Sequence, residues 1–136
     1  MAVYALNTTE KLVLLAVLVE TEYGSVPSTT GKVYARYVEL SKLAGVTYVT
    51  KRRIQDVLKS LAKSGVLRVV VRSFGMYGRT SIIVLRQPPH SLCPALVEDL
   101  LIGEMAEEIC RGTGWWRGLG VGVLQELEGA GEGAGD

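Results

Sequence analysis

The stretch Thr50-Lys51-Arg52-Arg53-Ile54-Gln55-Asp56-Val57-Leu58-Lys59-Ser60-Leu61-Ala62-Lys63, followed by Ser64-Gly65 and a run of valines, decides the fold. Ile54, Val57, Leu58 and Leu61 recur at helical spacing as one apolar stripe, and Arg52, Gln55, Asp56, Lys59 and Lys63 fall on the opposite side. Thr50 suits the N-cap, and Gly65 closes the helix. Beyond Gly65 the apolar period changes from about 3.6 to about 2. Residues 66–74 and 80–86 are β-branched and apolar with interspersed arginines, which predicts two strands. Gly75-Met76-Tyr77-Gly78-Arg79 between them reads as a Gly-bounded hairpin loop.

Two further helices are expected upstream. Residues 12–19 are apolar nearly all round, so the first helix should be the buried centre. Thr8 or Thr9 can cap it, Glu10 suits its positive end, and Gly24 suits a left-handed C-terminal cap. Val33, Tyr37, Leu40 and Ala44 then mark a helix over about 32–44, with Thr30 and Gly45 as caps. Three helices followed by a basic hairpin give a mainly α fold with a small antiparallel β-hairpin, the winged helix-turn-helix. The second and third helices form the helix-turn-helix, and the hairpin is the wing.

Pro88-Pro89 predicts a boundary, which makes residues 1–90 the winged-helix domain. Leu96, Val97, Leu100, Leu101, Met105 and Ile109 predict a fourth, acidic helix over 95–109 with Pro94 in its first turn. That helix would form a unit over 91–111 packed on the domain. Residues 112–136 hold nine glycines in 25 positions and read as a partly disordered tail, with a short helix over 121–127 possible within it. Trp115-Trp116 in that tail suit either an anchor for a partner chain or, the favoured reading, a fold back over an apolar patch.

The residues exclude several classes. A length of 136 residues suits one domain, and 48% hydrophobic residues can build its core. The longest apolar run is far below the roughly 20 residues a bilayer span needs, and the N-terminus lacks a basic signal-peptide region. Cys93 and Cys110 are too few for a disulfide framework and are not spaced as zinc ligands. Gly31-Lys32 fails as a phosphate loop, because six residues separate Gly24 from Gly31 and Val33 follows the lysine. His90 lies in a proline-flanked stretch without evident catalytic partners. No catalytic residue, metal or cofactor is therefore expected, and an enzyme is not.

The net charge of +1 conceals a strong asymmetry. Residues 32–86 hold twelve bases against two acids, whereas residues 87–136 hold two bases against nine acids. A central basic block of this kind is the footprint of a polyanion. Lys51, Arg52 and Arg53 crowd the first turn of the third helix, where the macrodipole prefers anions by about 0.3–1 kcal/mol per charge. Folding alone gives no reason for this placement; phosphates or guanine edges at that helix end give one. The candidate DNA-binding residues are Thr50, Lys51, Arg52, Arg53, Gln55 and Lys59 on the helix, with Arg72, Tyr77, Gly78, Arg79 and Thr80 on the wing. Arg52 or Arg53 is expected at bases, Lys59 at phosphate and Arg79 in a minor groove.

Asn7-Thr8-Thr9-Glu10-Lys11-Leu12-Val13-Leu14-Leu15-Ala16 resembles the first helix of one particular winged-helix domain. It is the C-terminal domain of archaeal replication initiators related to origin recognition complex subunit one and cell division control protein six. Val33-Tyr34 with Tyr37, Thr50-Lys51-Arg52-Arg53 with Asp56-Val57, and Tyr77-Gly78-Arg79-Thr80 fit the same family. The resemblance spans about residues 6–86 and more weakly 94–108. It implies docking on double-stranded origin DNA, with the recognition helix in the major groove and the wing in the minor groove. Full-length members also carry an AAA+ ATPase module, the only part expected to use ATP, and this chain lacks it. The chain thus looks like an excised C-terminal domain or a member reduced to it. Other initiator subunits are possible partners, a membrane is not, and the location would be intracellular and chromosome-associated. A winged-helix transcription regulator, or a protein–protein module meeting an acidic partner with the basic face, are the alternatives.

Overall fold

A computed structural model of the chain describes residues 3–24, 28–73 and 78–112. A short 3-10 turn (Val3–Ala5) leads into α1 (Thr8–Tyr23), α2 (Thr30–Ala44) and α3 (Lys51–Lys63). The strands β1 (Leu67–Ser73) and β2 (Arg79–Leu85) follow, then α4 (Pro89–Val97) and α5 (Gly103–Arg111). Three helices and a hairpin stand in the expected order, and the fold is a winged helix-turn-helix.

The centre is α1, where every residue from Lys11 to Glu20 is buried. Each fully buried leucine or valine there contributes about 1.5–3 kcal/mol relative to exposure. Its N-cap is Asn7, not Thr8 or Thr9. The Asn7 side-chain oxygen accepts the Glu10 N–H at 2.8 Å, and the Glu10 carboxylate accepts the Asn7 N–H at 3.0 Å. This reciprocal capping box satisfies two backbone donors at once, which neither threonine could do with Glu10 at its own third position. Nor is Gly24 left-handed: its φ is −87° and its ψ 172°. Glycine stands there for space, because a Cβ would lie 2.7 Å from the Glu20 carbonyl oxygen.

The second helix starts at Thr30, two residues before the sequence spacing suggests, and Thr29 rather than Thr30 caps it by accepting the Lys32 N–H at 3.3 Å. Gly45 ends it in the left-handed conformation as expected. Arg36 of α2 reaches back to Glu20 of α1, Nε to Oε2 at 2.8 Å, with both side chains sealed from solvent.

In the antiparallel hairpin Leu67 faces Leu85 and Ser73 faces Arg79. Strand alternation turns Leu67, Val69, Ile83 and Leu85 toward the helices. Arg68, Val70, Arg72, Thr80, Ile82 and Val84 take the outer face. The base of the wing is tied to the α1–α2 connection, since Thr29 bridges Ile82 and the Ser28 carbonyl accepts the Ile83 N–H at 2.8 Å.

The helix expected over 95–109 is instead two helices, and the first begins at Pro89, so Pro88-Pro89 does not open a linker and His90 is helical. Pro94 falls inside α4 rather than in a first turn. Asp99 makes the break: its Oδ1 accepts the N–H groups of Leu101 and Ile102 at 2.8 and 3.1 Å. A short acidic side chain that bonds its own following backbone competes with helix continuation. Its Oδ2 also accepts the Thr8 hydroxyl at 3.1 Å and lies 3.9 Å from the Lys11 ammonium, which anchors the break on the start of α1. The two cysteines, too few for a disulfide framework, nonetheless form one disulfide between α4 and α5. Antiparallel return of α5 along α4 brings their Cα atoms to 6.1 Å, within bridging range.

Several expectations lie outside the described residues: those for Phe74, Gly75, Met76 and Tyr77 at the wing tip, for Trp115 and Trp116, and for the tail beyond Gly112.

Candidate nucleic-acid interface

The site begins with the turn before α3. Tyr34 and Tyr37 lie one turn apart on α2, and both reach the backbone of the same residue, Val49. The Val49 N–H donates to the Tyr37 hydroxyl at 3.0 Å, and the Tyr34 hydroxyl donates to the Val49 carbonyl at 2.9 Å. Tyr37 is wholly buried, so its hydroxyl needs such a partner. The residue after Val49 is Thr50, whose hydroxyl accepts the Arg53 N–H at 3.3 Å as N-cap of α3. Two tyrosines and a cap thus fix the origin and direction of α3. Sequence periodicity placed Tyr37 on the core face but gave its hydroxyl no role, and Tyr34 entered only through the family resemblance.

Ile54, Leu58 and Leu61 bury one face of α3, and Lys51, Arg52, Arg53, Gln55 and Lys59 are all exposed. At 3.6 residues per turn these side chains do not form one row. Arg52 and Lys59 occupy the crest farthest from the buried stripe. Gln55 and Lys59 border a cavity of about 250 Å³ shared with Thr30, Val69 and Ser81, between α3 and the wing strands. Lys51 leans over the start of α2, its ammonium 3.8 Å from where a Gly31 Cβ would stand. Arg53 turns the other way, into a hollow with Asn7, Glu10 and Asp56. Among the described residues Arg52 and Asp56 form no ion pair. Arg52 therefore projects uncompensated at the helix end where positive charge costs most.

The wing residues divide likewise. Arg79 lies on the hairpin face that carries Ser81 and Ile83, the face turned toward α3. Arg72 and Thr80 oppose each other on the outer face, away from that cavity. Gly78 has φ +82°, a backbone form that glycine adopts freely and that lets the chain enter β2 at Arg79. Tyr77 is outside the described residues. The structure thus brings Gln55 and Lys59 to the groove between α3 and the wing, puts Arg79 on the strand face of Ser81 two residues nearer the wing tip, keeps Arg52 on the adjoining crest, and turns Arg53, Arg72 and Thr80 away from the groove. A recognition helix flanked by a cationic strand face can read a duplex groove and hold its phosphates. Arg68, which the sequence reading did not single out, joins Arg72 on the outer face.

Comparison with known proteins gives a consistent picture. Residues 1–93 match the family model of the CDC6 C-terminal winged helix domain. An ORC1-type DNA replication protein 1 of Aeropyrum pernix is 35% identical over 95 residues, which cover 70% of this chain and 24% of that protein. The ORC1-type DNA replication protein of Pyrococcus abyssi is 37% identical over 82 residues, 60% of this chain and 20% of that one. The chain thus spans a quarter or less of the length of these relatives. Among solved structures, the Aeropyrum pernix ORC1 protein in complex with DNA superposes with a TM-score of 0.70 at 33% identity, covering 76% of this chain and 27% of that chain.

Proposed function

Since the chain belongs to the family of the CDC6 C-terminal winged helix domain, we propose that it binds double-stranded DNA at replication origins as the winged-helix module of an initiator. In this reading α3 lies in the major groove and the wing in the minor groove. The observation that carries it is the cation cluster at the start of α3: Lys51, Arg52 and Arg53 are exposed at a helix end that opposes them. Phosphates supply the compensation that the fold withholds. Arg79 on the α3-facing side of the wing extends the same cationic surface, and the solved ORC1 neighbour holds DNA. Arg52 on the crest is the better placed of the two arginines for base edges. Lys59, next to the wing groove, suits a phosphate.

The module acts by binding, with no chemical step of its own. ATP belongs to the AAA+ module that the resemblance assigns to full-length initiators, and other initiator subunits are its natural company. Its place would be on the chromosome, inside the cell. No helix of the described residues is long and apolar enough to cross a membrane.

The test is a titration of origin duplex and a shuffled duplex across a salt series. Specific binding predicts preference for the origin sequence and a steep fall in affinity with salt, near −0.9 in log–log slope per neutralised phosphate. Lys59→Ala should weaken both duplexes alike and lower the slope by about one. Unchanged affinity after the double change Arg52→Ala, Arg53→Ala would overturn the recognition-helix assignment.

A further inference from the structure

The turn between α4 and α5 carries two leucines that the fold does not use. Leu100 is 100% exposed and Leu101 62%. Helical spacing puts both on the apolar side of one continuous helix, but the break at Asp99 turns them outward. The turn is closely held. Asp99 Oδ1 accepts the N–H groups of Leu101 and Ile102, the Asp99 carbonyl accepts the Gly103 N–H at 2.8 Å, and Asp99 Oδ2 is tied to Thr8. Gly103 packs so tightly on α4 that a Cβ there would collide with the Val97 carbonyl oxygen. The leucines are thus presented on a fixed support. A polar residue at either position would cost the fold little, since neither side chain is buried. Exposed Glu98 and Glu104 flank the pair.

The groove between α3 and the wing has the complementary chemistry. Leu58, Val69 and Ile83 line its cavity of about 250 Å³, and exposed Lys59 borders it. Arg79, two residues nearer the wing tip than Ser81, and Arg52 on the crest of α3 extend the positive field around it. The leucine turn and the groove sit toward opposite ends of α1. Asp99 anchors the turn on Thr8 and Lys11 at its start, whereas β2, one wall of the groove, meets Thr21 near its end. Thr8 and Thr21 are 13 positions apart in one helix, about 20 Å at 1.5 Å per residue. A leucine side chain cannot bridge that distance, so the turn cannot fill the groove of its own molecule. It can fill the groove of another.

We propose that the Leu100–Leu101 turn of one copy of this chain docks in the α3–wing groove of a second copy, with the leucines on Leu58, Val69 and Ile83 and the flanking glutamates against Lys59. The contact is heterologous. Each pair keeps a free groove at one end and a free turn at the other, so association runs head to tail instead of stopping at two. Two leucines and their flanks make a small interface, below the roughly 1,200 Å² of stable complexes, and the association is weak and reversible. On the DNA reading proposed above, a filled groove cannot hold a duplex. Self-association and DNA binding then exclude each other.

Sedimentation equilibrium of the unaltered chain without DNA should show a weight-average mass that rises with concentration, less steeply at high salt, which screens the charged part of the contact. Leu100→Ser with Leu101→Ser removes the docking side chains, and Lys59→Glu reverses the charge at the groove. Each variant should stay monomeric while the circular dichroism of the fold is retained. Their mixture is the decisive sample: one variant keeps an intact groove and the other an intact turn, so a one-to-one complex should form and grow no further. Leu43→Ser, at an exposed leucine outside both features, should associate as the unaltered chain does. Origin duplex should dissolve the association in step with the protein it binds. If the duplex does not bind while the mixture still pairs, the DNA reading fails and the docking stands. A duplex that binds while the copies stay associated overturns the groove as the docking site. So does a mixture that stays monomeric, or association that ignores Leu100→Ser with Leu101→Ser. An unaltered chain that is monomeric at every concentration overturns the proposal and leaves the leucine turn to a different protein.

Discussion

The Tyr37 hydroxyl receives the Val49 N–H at 3.0 Å, and through that bond a buried side chain of α2 sets where α3 begins. Tyr34 completes the hold from the carbonyl side at 2.9 Å. Recognition by a helix depends on its entry angle, and the Val49 backbone is the pivot. Tyr37→Phe keeps the ring in the core and removes only the hydroxyl. It should cost about 1 kcal/mol of stability, the usual net worth of one hydrogen bond. The more telling outcome is in binding: preference for the cognate duplex over a shuffled one should narrow, with the salt slope unchanged. A Tyr37→Phe protein with full discrimination would show that α3 is oriented by its apolar contacts alone.

Glu20 and Arg36 form an ion pair with no exposure on either side. A pair of this kind adds little net stability, because desolvation offsets the attraction, yet losing one partner strands a buried charge. Arg36→Met should therefore destabilise by about 3–5 kcal/mol. Glu20→Leu combined with Arg36→Met should recover most of that loss. Urea unfolding of the two single variants and the double variant measures the coupling directly.

Cys93 and Cys110 close a loop across a sequence separation of 17. Loop entropy assigns such a cross-link roughly 3 kcal/mol. Reduction, or Cys93→Ser with Cys110→Ser, should lower the unfolding midpoint and loosen α5 from α4. Duplex affinity should stay the same, because α4 and α5 lie outside the α3–wing groove. Alkylation of thiols before and after reduction, read by mass spectrometry, checks the bridge itself.

Periodicity carried most of the fold. The apolar stripe of α3, the wholly apolar stretch of α1 and the change of period at Gly65 are local signals, and each element stands where they place it. What failed were effects of tertiary contact. Asp99 breaks the fourth helix by bonding its own backbone while held by Thr8 and Lys11, residues about ninety positions away. The disulfide needed α5 to turn back along α4, and a separation of 17 residues announces nothing of that. At the candidate interface the sequence shows where the cations cluster but not which way each of them faces. Arg52 and Arg53 are neighbours in sequence, yet they project from different sides of α3.

The wing separates its two candidate arginines in the same way, which gives a sharp test. Arg79 lies on the strand face with Ser81 and Ile83, toward α3, and Arg72 lies on the outer face opposite Thr80. In the proposed binding mode only Arg79 can follow the duplex without the hairpin rolling over. Gly78 before it turns with φ +82° and lets the backbone approach the sugar-phosphate rails. Arg79→Ala should lower affinity by about 1–2 kcal/mol, the loss of one charge-assisted contact. The loss should be larger on sites flanked by A·T pairs, whose narrow minor groove deepens the negative potential around a guanidinium. Arg72→Ala should change affinity only slightly and without regard to flanking sequence. Neither change should move the unfolding midpoint much, since both side chains are exposed. Footprinting decides the matter: protection of the flanking minor groove should vanish with Arg79→Ala and survive Arg72→Ala. If both variants protect the flanks as the unaltered chain does, the wing is not a DNA element in this protein.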